Sequence, residues 1–369
     1  MQTKTAKTGA PPVVDFFLGA LSPSGFSGWF AQAAAEPGAR PWLIKAGPGC
    51  GKSTFMRRIA EKAAAQPAGK GAYVERIHCS SDPASLDGVR LPSGDLILDA
   101  TAPHTLDCKY PDAAERVLSF YDTLDHAYLH KNSAQVLAAG NGNTALLQRA
   151  AADFALACGL LQRRRQFAAA RLDADKLDRF TARMAARLMP ARRGAKPGIQ
   201  RIRLLSAPTP GGVTVFADTV PALADTIYAI HDPYGAAAAR MLGILADHAA
   251  QNGYEAIVCR CAADQSKTDH LILPALRLAV VTSNPWHPMR FAGQKNIHAA
   301  RFADGAGLAA RRGMLQYQKR IAAQLIARTC QTQAEAKRVH DTLETYYVRA
   351  TDFAAVDAIR QSVEAELFG

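Results

Sequence analysis

The chain has 369 residues, of which 49% are apolar and 21% are charged, and its formal charge at pH 7 is +12. A chain of this length and composition can bury sizeable cores, which predicts a soluble globular protein of two domains. The N-terminal stretch MQTKTAKTGAPPVVDF has no apolar h-region, and no later window approaches about eighteen uncharged apolar residues, so neither secretion nor membrane spanning is indicated and a cytoplasmic location is expected. The seven cysteines lack a metal or disulfide spacing, so we expect them to be reduced.

A glycine-rich stretch in the first half is flanked by an apolar strand and a helix. Residues 42–60 read WLIKAGPGCGKSTFMRRIA, and the apolar residues Phe55, Ile59 and Ala63 then recur every four positions. This order of strand, loop and helix is the context that a Walker A phosphate loop requires. Ala46 stands where the G-x-x-x-x-G-K-[ST] pattern has its first glycine, a mild departure because that position ends the strand.

The loop carries the groups that a nucleoside triphosphate and Mg²⁺ require. Glycines let backbone N–H groups curl around phosphate oxygens, and the helix N-terminus adds its dipole. Lys52 is predicted to reach the outer phosphates and Ser53 to ligate Mg²⁺. Cys50, beside the helix N-terminus, is either a small filler residue or a thiol with thiolate character. The predicted nucleotide-binding residues are Gly47, Pro48, Gly49, Cys50, Gly51, Lys52, Ser53 and Thr54.

Two further apolar stretches predict strands, and the second ends in an acid. They read AYVERIHC (72–79) and GDLILDATAPH (94–104), with Asp99 at the end of the apolar run. An aspartate at the carboxyl end of such a strand holds the metal in P-loop enzymes. Asp99 is therefore the predicted metal partner of Ser53. No guanine-specificity motif is found, so ATP is the expected nucleotide.

The segment between these strands, HCSSDPASLDGVRLP (78–92), reads as a loop at the carboxyl edge of the sheet. Asp87 could there orient water or substrate, or the acids and serines of this segment could cap turns. His104 could contact a γ-phosphate or be an ordinary loop histidine. The candidate catalytic residues are thus Lys52, Asp99, Asp87 and His104. No glutamate follows Asp99 directly, so nucleotide binding is better supported than hydrolysis.

The second half reads as a degenerate repeat of the first. Residues 77–104 match residues 259–286, CRCAADQSKTDHLILPALRLAVVTSNPW, with seven identities, where composition predicts about one or two. In IHDPYGAAAARM (230–241), the three alanines that begin at Ala236 align with Gly51, Lys52 and Ser53, and Val281 aligns with Asp99. The second half is therefore predicted to keep the fold and to lose the nucleotide site.

These motifs resemble those of an uncharacterised bacterial P-loop ATPase family with two tandem NTPase-like halves. The family carries GPGTGKST-like, HCSSDPDSLDG-like and LDGTAPH-like signatures, which stand here as GPGCGKST (47–54), HCSSDPASLDG (78–88) and LDATAPH (98–104). The resemblance spans both halves and implies nucleotide binding, without naming a substrate or a pathway. In that family the second half can also carry a phosphate loop, so its loss here argues against a two-site mechanism.

A long alanine-rich stretch with helical spacing follows each half, at about 112–190 and 303–369. Gly140 to Asn143 reads as a helix stop and an N-cap, which predicts a helical hairpin, and MPARRGAKPG (189–198) reads as a linker. The predicted fold class is α/β, with two tandem P-loop NTPase-like parallel-sheet domains, each followed by a helical segment. The expected domains are 1–195, active and containing the hairpin, and 196–369, degenerate with C-terminal helices.

Most of the excess positive charge lies in one basic segment, Arg163–Arg203. The segment contains thirteen basic residues and only three aspartates. Arg179, Arg183 and Arg187 recur every four positions and so share one side of a helix. The segment is either a solvated face or a contact surface for nucleic acid or another polyanion. Its cationic residues are Arg163, Arg164, Arg165, Arg171, Lys176, Arg179, Arg183, Arg187, Arg192, Arg193, Lys196, Arg201 and Arg203.

The leading hypothesis is a Mg²⁺-dependent ATPase or ATP-controlled switch, in which an active first half is paired with a silent second half. One alternative is a small-molecule or nucleotide phosphotransferase, with its acceptor at the loop that holds Asp82 and Asp87. Another is a nucleotide-gated nucleic-acid-binding protein that uses the basic segment. The expected ligands are ATP and Mg²⁺, and no membrane partner is expected.

Overall fold

The computed structural model describes residues 9–69, 71–192 and 194–369. Arg193 of the basic segment and the first eight residues of the N-terminal stretch lie outside the described residues. The chain forms two compact units. The first contains the residues up to Ala20, Gly28–Arg149 and Gln331–Gly369, and the second contains Leu21–Ser27 and Ala150–Cys330.

The described residues of the first half form eight strands. They are β1 (Val13–Phe17), β2 (Gly19–Ser22), β3 (Gly25–Gly28), β4 (Arg40–Lys45), β5 (Val74–His78), β6 (Leu86–Arg90), β7 (Asp95–Asp99) and β8 (Arg116–Ser119). Six of them form a sheet in the order β1-β5-β6-β7-β4-β8. All neighbours in it are parallel except β6, which runs antiparallel to β5 and β7. The α/β class is confirmed, but the sheet is mixed and not parallel as predicted.

Strand β6 lies in the segment that the sequence predicts to be a loop. The turn at Asp82, whose carbonyl accepts from Ser85 N at 2.8 Å, reverses the chain after β5. A second turn, in which Leu91 N donates to Asp95 O at 2.8 Å, leads from β6 into β7. The prolines, serines and glycine of these two turns make the whole segment resemble one loop. The five buried residues of β6 lie between the turns and are therefore missed by the sequence pattern.

The second half repeats this topology. Its strands are β9 (Gln200–Arg203), β10 (Ser206–Thr209), β11 (Gly212–Val215), β12 (Thr226–His231), β13 (Ala256–Cys261), β14 (Asp264–Leu273), β15 (Leu278–Ser283) and β16 (Lys295–His298). The sheet order is β9-β13-β14-β15-β12-β16, with β14 antiparallel to both neighbours, so each strand has its counterpart in the first sheet. The predicted repeat is therefore confirmed at the level of strand order and direction.

The helices also repeat in order. They are α1 (Phe30–Ala34), α2 (Lys52–Ala64), α3 (His126–Lys131), α4 (Ser133–Ala169), α5 (Ala174–Leu188), α6 (Thr219–Leu223), α7 (Ala236–Gln251), α8 (Gly305–Ala309), α9 (Arg312–Ala350) and α10 (Phe353–Phe368). The predicted break at Gly140 to Asn143 is wrong, since α4 is continuous there. Gly140 and Gly142 each lower the stability of the helix by about 1 kcal/mol relative to alanine. Burial of the α4 side chains from Ala150 onward offsets this loss.

Helix α4 is the one helix in the described ranges that is long and apolar enough to cross a membrane. Only part of its apolar surface is buried. A single such helix is weak evidence for a membrane span, because a core helix of a soluble protein meets the same criteria of length and composition.

Each compact unit contains the sheet of one half and a helical arm from the other half. The C-terminal arm, residues 331–368, is the end of α9 together with α10, and it belongs to the first unit. The middle arm, residues 150–188, is the end of α4 together with α5, and it belongs to the second unit. In the first unit α10 packs on α2, and in the second unit α5 packs on α7. The two arms are thus exchanged between the sequence halves.

Equivalent backbone bonds hold the two arms. Asp352 N donates to Thr123 O in the first unit, and Asp173 N donates to Phe302 O in the second, both at 2.8 Å. The predicted boundary at 195/196 does not describe these units, because it leaves each arm with the sheet of its own half. Helices α4 and α9 have 37 and 39 residues. At about 1.5 Å per residue they are about 55 and 58 Å long, and α5 and α10 follow them directly in the chain.

Candidate functional site

A six-residue loop from Ala46 to Gly51 joins the strand β4 to helix α2 in the first unit. Gly49 and Gly51 have φ values of +70° and +84°, in the left-handed region that favours glycine. A Cβ on Gly47 would collide with the ring of Tyr347 in the C-terminal arm. Glycine is therefore required at 47 by packing and at 49 and 51 by backbone conformation.

Lys52 and Asp99 meet at the carboxyl edge of the first sheet. Strands β4 and β7 are parallel neighbours in which Ile44 is paired with Asp99, so the loop after β4 lies beside the end of β7. The Lys52 ammonium donates to Gly47 O at 2.7 Å and lies 3.4 Å from Asp99 Oδ2. Both side chains are nearly buried, with 13% and 12% exposed. A shielded ammonium at the start of a helix suits a phosphate group, because water screens it little.

Asp87 and His104 join Asp99 in one buried cluster, whose potential metal-ligand atoms lie within 4.8 Å of one another. His104 Nε2 is 3.4 Å from Asp87 Oδ2, and the His104 ring stacks on Phe30 with centroids 4.3 Å apart. Burial disfavours protonation of His104, but the charges of Asp87 and Asp99 outweigh it, so the pKa of His104 is raised. Asp87 occupies this position from strand β6, not from the predicted loop.

The backbone and hydroxyl of Thr101 hold the Asp99 carboxylate. Thr101 N donates to Asp99 Oδ1 at 2.9 Å, and the Thr101 hydroxyl donates to the same oxygen. The other oxygen, Oδ2, is the one that faces Lys52. Asp99 is thus fixed in orientation with one oxygen directed toward the loop.

Three residues of the loop segment have surroundings that the sequence did not specify. Ser53 Oγ accepts hydrogen bonds from Leu86 N at 3.0 Å and, more weakly, from Arg57 Nη2 at 3.5 Å, and a metal ion at Ser53 would have to displace the longer of the two. Thr54 is exposed. Cys50 is 1% exposed, and burial raises the pKa of its thiol. Of the two alternatives for Cys50, the raised pKa favours the small filler residue, because burial outweighs the lowering effects of the Thr351 hydroxyl and of Lys52.

The second unit has a shorter loop at the equivalent place. Four residues, Asp232 to Gly235, join β12 to α7, two fewer than in the first unit, and Gly235 begins the helix with φ of +72°. The buried Asp232 accepts from Tyr234 N and from Ala238 N, each at 3.0 Å. A carboxylate of the chain itself therefore uses backbone amides that a phosphate would need.

The structure shifts the pairing of the two halves by one residue at both motifs. Helix α2 begins at Lys52 and helix α7 begins at Ala236, so Lys52 is equivalent to Ala236 and not to Ala237. Ile44, the fifth residue of β4, is paired with Asp99, and Ile230, the fifth residue of β12, is paired with Thr282. Asp99 is therefore equivalent to Thr282 and not to Val281. The cause of the second shift is an extra residue in the turn before β15, where Arg277 has φ of +49°.

The corrected pairing places His104 opposite His287. His287 Nε2 lies 3.7 Å from Asp269 Oδ2, as His104 lies near Asp87 in the first unit. Asp269, His270 and His287 form the second buried cluster of potential metal ligands. The second half thus keeps the Asp–His pair although it lacks the lysine and the acid that face each other in the first.

Lys267 is a residue near the second loop that the sequence did not reveal. Its ammonium lies 2.7 Å from Asp269 Oδ1 and would lie 3.3 Å from a Cβ on Gly235. The lysine reaches the loop from strand β14, so no motif spacing around the loop contains it. The only sequence signal was a basic residue in SKTD (266–269), which the repeat placed opposite ASLD (84–87).

The basic segment does not form one surface. Arg164 and Arg203 are buried, Arg165 lies 2.5 Å from Asp264, and Arg201 pairs with Glu255. The exposed cations of the described part are Arg163, Lys176, Arg179, Arg183, Arg187, Arg192 and Lys196. The arginines at 179, 183 and 187 lie on the face of α5 opposite its buried residues. The predicted one-sided stripe of arginines is thus present on α5.

Comparison with known proteins returned no match to a family model, to a curated protein or to a solved structure.

Proposed function

We propose that the chain is a Mg²⁺-dependent ATP-binding protein, an ATPase or an ATP-controlled switch, whose nucleotide site lies in the first unit. One observation carries the proposal. The Lys52 ammonium, a glycine loop with two left-handed residues and the fixed carboxylate of Asp99 converge at one edge of the sheet. Glycine amides and an ammonium bind phosphate oxygens, and a carboxylate beside them suits the counter-ion of a triphosphate.

Two carboxylates support Mg²⁺ as that counter-ion. Asp99 and Asp87 present oxygens within the same buried cluster, and Mg²⁺ prefers one or two carboxylates together with phosphate oxygens. Asp99, with Ser53, would hold the ion, which would neutralise charge on the outer phosphates. His104 positions Asp87 through the 3.4 Å contact of their side chains. Asp87 and His104 are close enough to Asp99 that either would be able to orient a water molecule at this site.

The C-terminal arm supplies a structural basis for a switch. Glycines of the loop pack against the arm: a Cβ on Gly49 would lie 3.1 Å from Glu344 O, and a Cβ on Gly51 would lie 3.4 Å from the Phe353 ring. Lys52 now donates to the loop carbonyls of Gly47 and Ala46, at 2.7 Å and 3.3 Å. A bound phosphate would compete for this lysine. A change in the loop on binding would therefore be transmitted to the arm.

The stoichiometry of nucleotide binding tests the proposal. We expect one non-hydrolysable ATP analogue to bind per chain in the presence of Mg²⁺, because Asp232 occupies loop amides in the second unit. Isothermal titration gives the number of sites. Phosphate release without an acceptor then distinguishes an ATPase from a phosphotransferase, whose turnover needs a small acceptor. A chain that binds no nucleotide refutes the proposal.

Replacing Asp99 with asparagine separates metal-dependent from metal-independent binding. The amide keeps the size of the side chain and removes the negative charge, so Asp99→Asn should weaken binding with Mg²⁺ about tenfold or more and spare binding without Mg²⁺. Titrations with Mg²⁺ and with EDTA measure the two affinities. Asp107→Asn is a matched control, since Asp107 is an exposed acid beyond the cluster. Equal losses in Mg²⁺ and in EDTA would remove Asp99 from the metal site.

Nucleic-acid binding is a second candidate function, favoured by the exposed arginine stripe on α5. If Arg179, Arg183 and Arg187 neutralise phosphates, their replacement with glutamine should reduce the slope of log affinity against log salt by about 0.9 for each phosphate that is no longer neutralised. Filter binding of duplex DNA across salt concentrations measures this slope. Glutamine at Arg311, Arg312 and Arg320 removes the same charge from other exposed positions. If both triple variants reduced the salt slope equally, net charge alone and not the arginine stripe on α5 would explain the binding.

A further inference from the structure

A cavity of about 120 Å³ lies in the second unit beside the shortened loop. It has room for about ten non-hydrogen atoms. Its apolar wall includes Phe154, Leu161, Trp286 and Ile326, and the loop contributes Pro233, Tyr234 and Gly235. Such a wall can accommodate the apolar body of a small ligand.

Two of the three cations around the cavity are paired within its wall. Arg165 lies 2.5 Å from Asp264, and Lys267 lies 2.7 Å from Asp269. The remaining cation is Arg164. Three cations and two carboxylates therefore leave one positive charge that the wall does not balance.

Arg164 is 4% exposed and lines the cavity, its Nε is buried without a hydrogen-bond partner, and no carboxylate forms an ion pair with it among the described residues. Its guanidinium carbon lies 5.3 Å from the centroid of the Tyr234 ring, a weak contact beside a full ion pair. Burial of an unpaired charge is costly, because water is removed and no counter-charge replaces it. A ligand that carries the counter-charge removes this cost.

We propose that this cavity binds a small organic anion, whose carboxylate or phosphate group pairs with Arg164 and whose apolar body contacts Trp286 and Phe154. The guanidinium fork matches both anionic groups geometrically. The aromatic side chains in the lining of the cavity favour a flat, apolar body. The site is independent of the proposed nucleotide site, which is built by other residues in the other unit.

The cavity does not suit a nucleoside triphosphate. Asp232 uses the loop amides, and Asp264 and Asp269 add negative charge to the wall. A single uncompensated cation balances one negative charge and not the several charges of a triphosphate. We therefore expect the ATP analogue with Mg²⁺ not to compete for this cavity.

The experiment uses three probes of similar size: benzoate, phenyl phosphate and the neutral benzamide. Isothermal titration of the full chain should show binding of at least one of the two anions, and benzamide should bind at least tenfold more weakly than that anion. Tighter binding of benzoate identifies a carboxylate ligand, and tighter binding of phenyl phosphate identifies a phosphate ester. Benzamide that binds as well as the anions, or no binding of either anion at millimolar concentration, overturns the proposal.

Two variants assign the binding to Arg164. Arg164→Gln should weaken binding of the preferred anion at least tenfold, whereas Arg163→Gln, an exposed neighbour outside the cavity, should leave it unchanged. Without ligand, Arg164→Gln should unfold at the same temperature as wild type or at a higher one, since an uncompensated charge is removed. Unchanged affinity in Arg164→Gln, or a lower unfolding temperature, would show a structural role for this arginine and overturn the proposal.

Discussion

Lys52→Ala should lower the affinity for a non-hydrolysable ATP analogue with Mg²⁺ about ten- to a hundredfold. The substitution removes the ammonium at the start of α2, which is 13% exposed and therefore little screened by water. A charge-assisted hydrogen bond of this kind contributes about 1.5–3 kcal/mol, which is the stated change in affinity. Isothermal titration measures it directly. Full affinity in Lys52→Ala would contradict the assignment of the nucleotide site.

Two matched variants test whether this loss is specific. Lys62→Ala removes a lysine from the same helix, where its partner is Glu364 in the C-terminal arm, and should leave nucleotide affinity unchanged. Ala236→Lys places a lysine at the corresponding helix start in the second unit and should not create a second site, because the loop is two residues shorter and Asp232 holds its amides. A stoichiometry near two in wild type or in Ala236→Lys would contradict the second expectation.

Val356→Asp should unfold the first unit or destabilise it by about 3–5 kcal/mol, because an unpaired carboxylate would be buried in its core. Val356 lies on α10, is 6% exposed and belongs to the same core as Phe55 and Ile59 of α2. Hydrogen exchange should therefore rise in β4–β8 and α2, although the substitution lies near the C-terminus. Nucleotide affinity should fall with it, since α2 carries Lys52.

Ala358→Asp is the control for this effect, because Ala358 is exposed on the same helix. It introduces the same charge two residues away and should change neither exchange nor affinity. If Val356→Asp instead increased exchange in the sheet of the second half alone, the arm would belong to its own half, and the exchange of arms would be refuted. The two outcomes differ in which strands lose protection, so they cannot be confused with a general loss of folding.

The glycine-rich loop between a strand and a helix and the α/β class could be predicted because their signals are local. The apolar strand, the glycines and the lysine at a helix start lie within 42–60, and no distant residue is needed to recognise them. The repeat was visible for the same reason, since identical residues at a constant offset need no structure. Strand β6 was missed because turn residues on both sides of its five buried residues imitate one continuous loop.

Only the tertiary structure decided which helical arm completes which sheet and what became of the second loop. Helical periodicity shows that α5 and α10 have an apolar side, but the sequence pattern carries no information on which of the two sheets that side packs against. Likewise, the chain shows that Ala236 lacks the chemistry of Lys52. That Asp232 takes the loop amides and that Arg164 is buried without a counter-charge depend on side chains that meet only after folding, because burial and charge pairing are properties of three-dimensional neighbours.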